Sequence, residues 1–149
     1  MRAFRCWVAP DAREDEAWNE FAGLFGGRLG KPVMGGFIRL VERVRAGARR
    51  QVLHHAPCCP CLAADEMRLV NLVGAAAVGR LDLAQALAAD LLATDAGGSD
   101  RGAQDALALA ESARALAEAM AVRDAAPALR LGVSYSLKAE ETPWTGSRH

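Results

Sequence analysis

Apolar residues recur every three or four positions along most of the chain, which is the spacing of one face of an α-helix. The clearest stripe predicts a helix that runs to about residue 50, with Phe37, Val41, Val44 and Ala48 on its buried face. Four more helices are predicted by their own stripes. Their expected buried residues are Ala17, Trp18, Phe21, Leu24 and Phe25 in the first, Met67, Val70, Val73 or Gly74, and Ala77 in the third, Leu83, Leu87 and Leu91 in the fourth, and Ala106, Leu109, Ala113, Leu116 and Met120 in the fifth.

Two segments alternate apolar and polar residues instead, which is typical of β-strands. The alternation is unbroken over residues 129–137 and looser over residues 2–8. Because a lone strand needs a partner, we expect the two termini to pair as a short β-ribbon. The predicted architecture is therefore mainly α, a bundle of four to five helices forming a single domain over 1–138, followed by a flexible tail at 139–149.

Composition supports this fold class and narrows the possible partners. Of 149 residues, 32 are Ala and 18 are Leu, whereas only one is Ile, and this balance favours helices. Arg outnumbers Lys 16 to two, which together with the alanine excess is typical of a GC-rich bacterial genome. The formal net charge is zero, so there is no general electrostatic reason to expect binding to nucleic acid or to an anionic membrane.

The compartment follows from the apolar segments and the cysteines. The amino terminus lacks the apolar core of a secretory signal, and no apolar run is long enough to span a bilayer. We therefore expect a soluble, cytoplasmic protein. Its four cysteines are expected to be thiols in that reducing compartment, which favours metal binding or redox chemistry over a disulfide framework.

The candidate chemistry is concentrated in residues 51–62, QVLHHAPCCPCL. This segment holds two of the three histidines and three of the four cysteines, namely His54, His55, Cys58, Cys59 and Cys61. Thiolate and imidazole groups are the preferred ligands of Zn²⁺. The first hypothesis is a small binding, adaptor or regulatory protein with a metal site in this segment, zinc being favoured over an iron–sulfur cluster.

The spacing within the cluster limits which ligands can act together. Adjacent Cys58 and Cys59 cannot easily place both sulfur atoms on one ion, so we expect Cys61 to act with one of them. A tetrahedral site then needs a ligand from elsewhere in the chain. The candidates for this fourth ligand are Cys6, Asp65 and Glu66.

Two alternative functions use the same segment differently. A helix is predicted to begin near residue 63 or 65, and because a helix amino terminus stabilises a thiolate, Cys61 would favour a redox sensor or relay. Alternatively, the cysteines are small apolar residues in a proline-rich turn, and the protein is a purely structural interaction module without a metal. No catalytic motif such as a nucleophile elbow or a phosphate-binding loop is found in the sequence, so an enzyme is not expected.

Charge is divided unevenly along the chain. Arg39, Arg43 and Arg50 fall close together on the second predicted helix, at 100° per residue, whereas residues 82–105 are mainly acidic. Complementary patches on a neutral molecule favour specific association. We therefore expect the arginine surface to contact a protein partner or a second copy of the chain, with neither nucleic acid nor membrane as a partner.

Overall fold

A computed structural model describes residues 1–8, 13–93 and 100–121, and within these ranges every regular element is an α-helix. The elements are α1 (Arg2–Val8), α2 (Glu14–Gly47), α3 (Ala64–Ala77), α4 (Leu81–Leu92) and α5 (Asp100–Ala121). The prediction of a mainly helical bundle is confirmed. The terminal β-ribbon is not found in the described residues, and 129–137 and 139–149 lie outside them.

The bundle is organised around α5, which packs against α2, α3 and α4, while α1 packs on α2. The predicted buried faces of α5 and of the second half of α2 are confirmed, except that Met120 is exposed and Ala48 is half-buried. In the first half of α2 the prediction is partly wrong, because Ala17 is buried but Leu24 is 52% exposed. Small residues let α2 and α5 approach closely. A Cβ atom on Gly36 would lie 3.3 Å from Cα of Leu116, so the crossing of α2 and α5 leaves no room for a larger side chain at this position.

A kink divides α2 at Gly26, where φ is 74° and ψ is 160°. Glycine adopts a positive φ without the steric penalty of a Cβ atom. The sequence predicts a break between two helices at Gly26 and Gly27, and the backbone leaves the helical conformation at this point. The two segments remain close, because a Cβ atom on Gly30 would lie 3.4 Å from Cα of Ala22.

The prediction of a strand at residues 2–8 is wrong, because this segment is α1. Ala3, Phe4, Arg5 and Cys6 are buried in succession, whereas a strand that faces a single layer buries alternate residues. A loose alternation over a few residues does not distinguish the two structures. Packing against α2 favours the helix over the strand: Trp7 meets Phe37 of α2 edge to face, with ring centroids 6.1 Å apart.

The predicted buried faces of α3 and α4 are also partly wrong. In α3, Met67 and Val70 are exposed, and the buried face starts from Asp65 and continues through Leu69 and Leu72. Two charged residues in the first turn of α3 thus face inward and set its rotation. In α4, the buried face runs through Ala84, Ala88 and Leu91, with Leu92 beside it, while Leu83 is 43% exposed.

Candidate metal and thiol site

The side chain of Arg5 extends from α1 and binds the backbone of the 51–62 loop. The guanidinium donates hydrogen bonds to the backbone carbonyls of Ala56, at 3.4 Å, and of Cys59 and Cys61. Its Nε and Nη2 atoms donate to the two carboxylate oxygens of Glu66, the Nη2 bond being 2.8 Å long. All five N–H donors of the arginine are therefore in use.

Glu66 completes this buried ion pair and links it to the start of α3. Its carboxylate also accepts a hydrogen bond from the backbone N–H of Ala63 at 2.7 Å. Arg5 is 4% exposed and Glu66 is fully buried. Burial alone would raise the pKa of Glu66, but the hydrogen bonds from Arg5, Ala63 and the backbone of His55 outweigh it and lower that pKa. The pKa of Arg5 is raised, chiefly by its hydrogen bonds to Glu66.

A second ion pair anchors the beginning of the loop. Arg50 binds the buried carboxylate of Asp65 through both Nη atoms at 2.6 Å, and the backbone N–H of Leu53 donates to the same carboxylate at 2.8 Å. Arg68 donates a further hydrogen bond of 3.0 Å to the Asp65 carboxylate. These contacts, led by Arg50, lower the pKa of Asp65 to about 2. Both acidic residues in the first turn of α3 thus hold the loop.

The cysteine side chains differ in how far they are exposed to solvent. Cys58 and Cys61 are exposed and Cys59 is half-buried. A turn closed by a hydrogen bond of 3.0 Å from Cys59 N–H to the Ala56 carbonyl presents Cys58. Cys6, in contrast, is completely buried in α1. Burial raises the pKa of the Cys6 thiol, and its Sγ atom lies 3.7 Å from a carboxylate oxygen of Glu16.

The two histidines differ in their surroundings. His54 is exposed, and its ring meets Phe4 edge to face with centroids 6.3 Å apart. Its Nδ1 atom lies 3.3 Å from the carbonyl oxygen of His55. His55 is half-buried, and its backbone is tied to Glu66. Both imidazoles therefore lie on the same loop as the thiols.

The described residues contain no group of three or more His, Cys, Asp or Glu side chains positioned to hold a metal ion. The structure also explains why the candidates for a fourth ligand are unsuited. Glu66 neutralises the buried Arg5 and Asp65 pairs with Arg50, so a metal would leave one of these arginines without its counter-charge. Cys6 is buried on α1. The five predicted ligands share one loop without converging, and their metal binding stays a prediction.

The predicted arginine surface is divided by the end of α2. Arg39 and Arg43 are exposed on the helix, but α2 ends at Gly47, so Arg50 does not share their face and instead binds Asp65. The charge of the acidic segment 82–105 is partly neutralised as well, because Asp82 pairs with Arg80 and Asp90 pairs with Arg68. Partner binding by Arg39 and Arg43 stays a prediction.

Sequence reasoning missed the buried ion pairs. One signal was present: Arg5 is flanked by Phe4 and Cys6 in an apolar segment, so a buried arginine was to be expected if that segment packs. Its partner was harder to find, because Glu66 lies 61 positions further along the chain. An acidic pair at a helix start is also typical of an exposed first turn.

No family model matches this chain. The comparisons with curated proteins and with solved structures also found no match. In the described part of the chain, no helix is both long and apolar enough to cross a membrane. Function is therefore inferred from the residues and their geometry.

Replacing Arg5 by Met should lower the free energy of unfolding by about 3–5 kcal/mol, because Glu66 and three loop carbonyls lose their partner in a buried site. Arg5→Lys should recover only part of this loss, since an ammonium group has three donors instead of five. Urea unfolding measures both variants. Arg2→Met is the matched control, because the pair of Arg2 and Glu16 is exposed and solvent screens it, so its loss should change stability little. Equal losses for Arg5→Met and Arg2→Met would contradict the anchoring role.

The ion pair of Asp65 should make the fold sensitive to acid. Its pKa is about 2 in the folded protein against an ordinary value of 3.8. A carboxyl with a depressed folded pKa stabilises the fold above its unfolded pKa, and that contribution, about 2 kcal/mol, disappears as the pH falls from about 4 to about 2. Asp65→Asn should remove this part of the acid dependence in urea unfolding.

The exposed Asp82 provides the control for this measurement. Its pKa is also lowered to about 2, chiefly by hydrogen bonds from Arg80, but its side chain is 70% exposed. Solvent and salt screen such a pair, so Asp82→Asn should leave the acid dependence nearly unchanged in salt. If Asp65→Asn retains the full acid dependence of the parent protein, the assignment is wrong.

Proposed function

We propose that this protein is a small non-enzymatic binding protein of the bacterial cytoplasm that takes up a thiophilic metal ion, zinc in first place, on the 51–62 loop. The supporting observation is that the backbone of the loop is bound within the fold while two of its thiols are exposed to solvent. Backbone carbonyls of Ala56, Cys59 and Cys61 face Arg5, while the Cys58 and Cys61 thiols are exposed. The ligand atoms are thus presented by a backbone that is already held in place.

The proposed ligand set is Cys61, one of Cys58 and Cys59, and one of His54 and His55. Neutral imidazole and thiolate are suitable ligands for Zn²⁺. Because the side chains do not converge in the described residues, binding requires rotation of exposed side chains about the anchored backbone. An iron–sulfur cluster is less favoured, since it commonly needs four thiolates and Cys6 is buried.

This arrangement favours an exchangeable ion over a structural one. The loop is held by two ion pairs that need no metal. A set of three ligands leaves the fourth position of a tetrahedral ion open to water, to another molecule or to a second chain. Uptake, delivery or sensing of the ion therefore fits the loop better than a role in folding.

The metal hypothesis predicts a complex of one ion per chain. Titration of the reduced, untagged protein with Co²⁺ should produce thiolate charge-transfer absorption, and Zn²⁺ should displace it. The double variant Cys58→Ser/Cys61→Ser should lose the absorption, whereas Cys6→Ala should retain it. Removal of the metal should leave the helical circular dichroism spectrum unchanged, in contrast to structural zinc sites whose folding depends on the ion.

Two results would contradict the metal hypothesis. One is a native zinc content below about one tenth of an ion per chain in protein purified without chelators, because zinc sites of ordinary strength retain the ion. The other is an unchanged Co²⁺ titration in the Cys58→Ser/Cys61→Ser variant, which would place the ion elsewhere.

Thiol redox chemistry is the second candidate, favoured by the exposure of Cys58 and Cys61 at a Cys-x-x-Cys spacing directly before α3. In the proposed reaction one thiolate attacks a low-molecular-weight disulfide such as glutathione disulfide, forming a mixed disulfide and releasing one thiol. The second cysteine attacks this mixed disulfide and releases the second thiol. The two cysteines are thereby oxidised to a disulfide, and the reagent is reduced to two thiols.

Under this alternative, a glutathione redox buffer should produce a disulfide that joins Cys58 and Cys61, with the loss of two hydrogen atoms in the intact mass. Peptide mapping identifies the pair, and Cys59→Ser is the control that should still form it. Stable glutathione adducts without the internal disulfide, or a disulfide that forms only when Cys59 is present, would contradict this reaction.

The proposed surface for protein–protein contact lies on α2. Arg39 and Arg43 lie exposed on one helix and form the proposed contact for a protein partner or a second copy of the chain. The neutral net charge supports a specific protein contact over nucleic acid or an anionic membrane. Arg50 is left out of this surface, because its guanidinium binds Asp65.

A further inference from the structure

A cavity of about 560 Å³ opens between α1, the second half of α2 and the start of the 51–62 loop. Phe4 and Trp7 of α1 and Val41 and Val44 of α2 form much of its wall. Seven of its ten described lining residues are apolar, and cavities of this size accept small organic molecules. None of the four cysteines lines it, and His54 is the one residue of the proposed metal site among its described lining residues.

Among the described residues, the polar side chains that line the cavity are two arginines and one histidine, and none is acidic. They are Arg45, Arg50 and His54. Arg50 already donates both Nη atoms to Asp65, and the His54 ring packs against Phe4. Arg45 differs, because its side chain is 66% exposed and its pairing with Glu42 is long, at 3.5 Å, between two exposed groups. Among the described lining residues, the guanidinium of Arg45 is therefore the cation with donors left for a ligand.

We propose that this cavity binds an amphipathic carboxylate, a molecule with an aliphatic or aromatic body and one carboxylate group. The body lies against Phe4 and Trp7, where it is removed from water. The carboxylate pairs with Arg45 at the rim, since a guanidinium offers two parallel N–H donors to a carboxylate. The choice of an anion rests on this charge complementarity.

Isothermal titration calorimetry with sodium decanoate, kept below its micelle-forming concentration, tests the proposal on the full chain. We expect saturable binding at one site with a dissociation constant below about 1 mM. Decanol and decylammonium should each bind at least about tenfold more weakly, because they lack the carboxylate. Tryptophan fluorescence should change along the same binding curve, since Trp7 lines the cavity.

Two arginines of α2 form a matched pair for mutation. Arg45→Met should weaken decanoate binding at least about tenfold and change decanol binding by less than about twofold, because it removes only the charge contact. Arg28→Met should leave both affinities unchanged, because Arg28 is exposed on the same helix but does not line the cavity. Equal effects of the two variants would overturn the proposal.

A filling variant shows whether the ligand occupies the cavity itself. Ala48 lines the cavity and is half-buried, so Ala48→Phe should abolish decanoate binding while the helical circular dichroism spectrum is retained. Binding that survives in folded Ala48→Phe would place the ligand elsewhere. An absence of saturable decanoate binding, or equal affinity for decanoate and decanol, would likewise overturn the proposal.

Discussion

The guanidinium of Arg5 connects three parts of the molecule that are far apart in sequence. It extends from α1, binds Glu66 in the first turn of α3, and holds three carbonyls of the loop between α2 and α3. All of its donors are satisfied, and this satisfaction is what makes a buried arginine tolerable. Without it, the Glu66 carboxylate would be a buried charge without its counter-ion, and three loop carbonyls would lose their hydrogen-bond donor.

This constraint determines what the cysteine-rich loop can do. In small zinc domains the metal itself supplies the energy that holds the ligand-bearing segment. Here two ion pairs, Arg5 with Glu66 and Arg50 with Asp65, hold the segment through its backbone. The thiols of Cys58 and Cys61 are left facing solvent, where ion exchange or thiol exchange is accessible.

The same architecture separates the roles of neighbouring arginines. The second half of α2 and the residues after it carry a run of basic side chains, but α2 ends at Gly47. Arg39 and Arg43 remain on the exposed helix face, Arg45 lines the cavity beside α1, and Arg50 turns toward Asp65. The position of the helix end thus decides that Arg50 pairs within the fold while the arginines before it stay exposed on α2.

What the sequence by itself determined is the local structure: the helical stripes of α2 and α5, the break at Gly26, and the grouping of the thiols and imidazoles in one loop. These features depend on residues a few positions apart, so periodicity and glycine placement predict them. The tertiary structure decided that residues 2–8 are a helix, that α3 faces inward through Asp65, and that the predicted ligands do not converge. Each of these depends on contacts such as the one between Arg5 and Glu66, 61 positions apart, and such pairs leave no periodic signal in the chain.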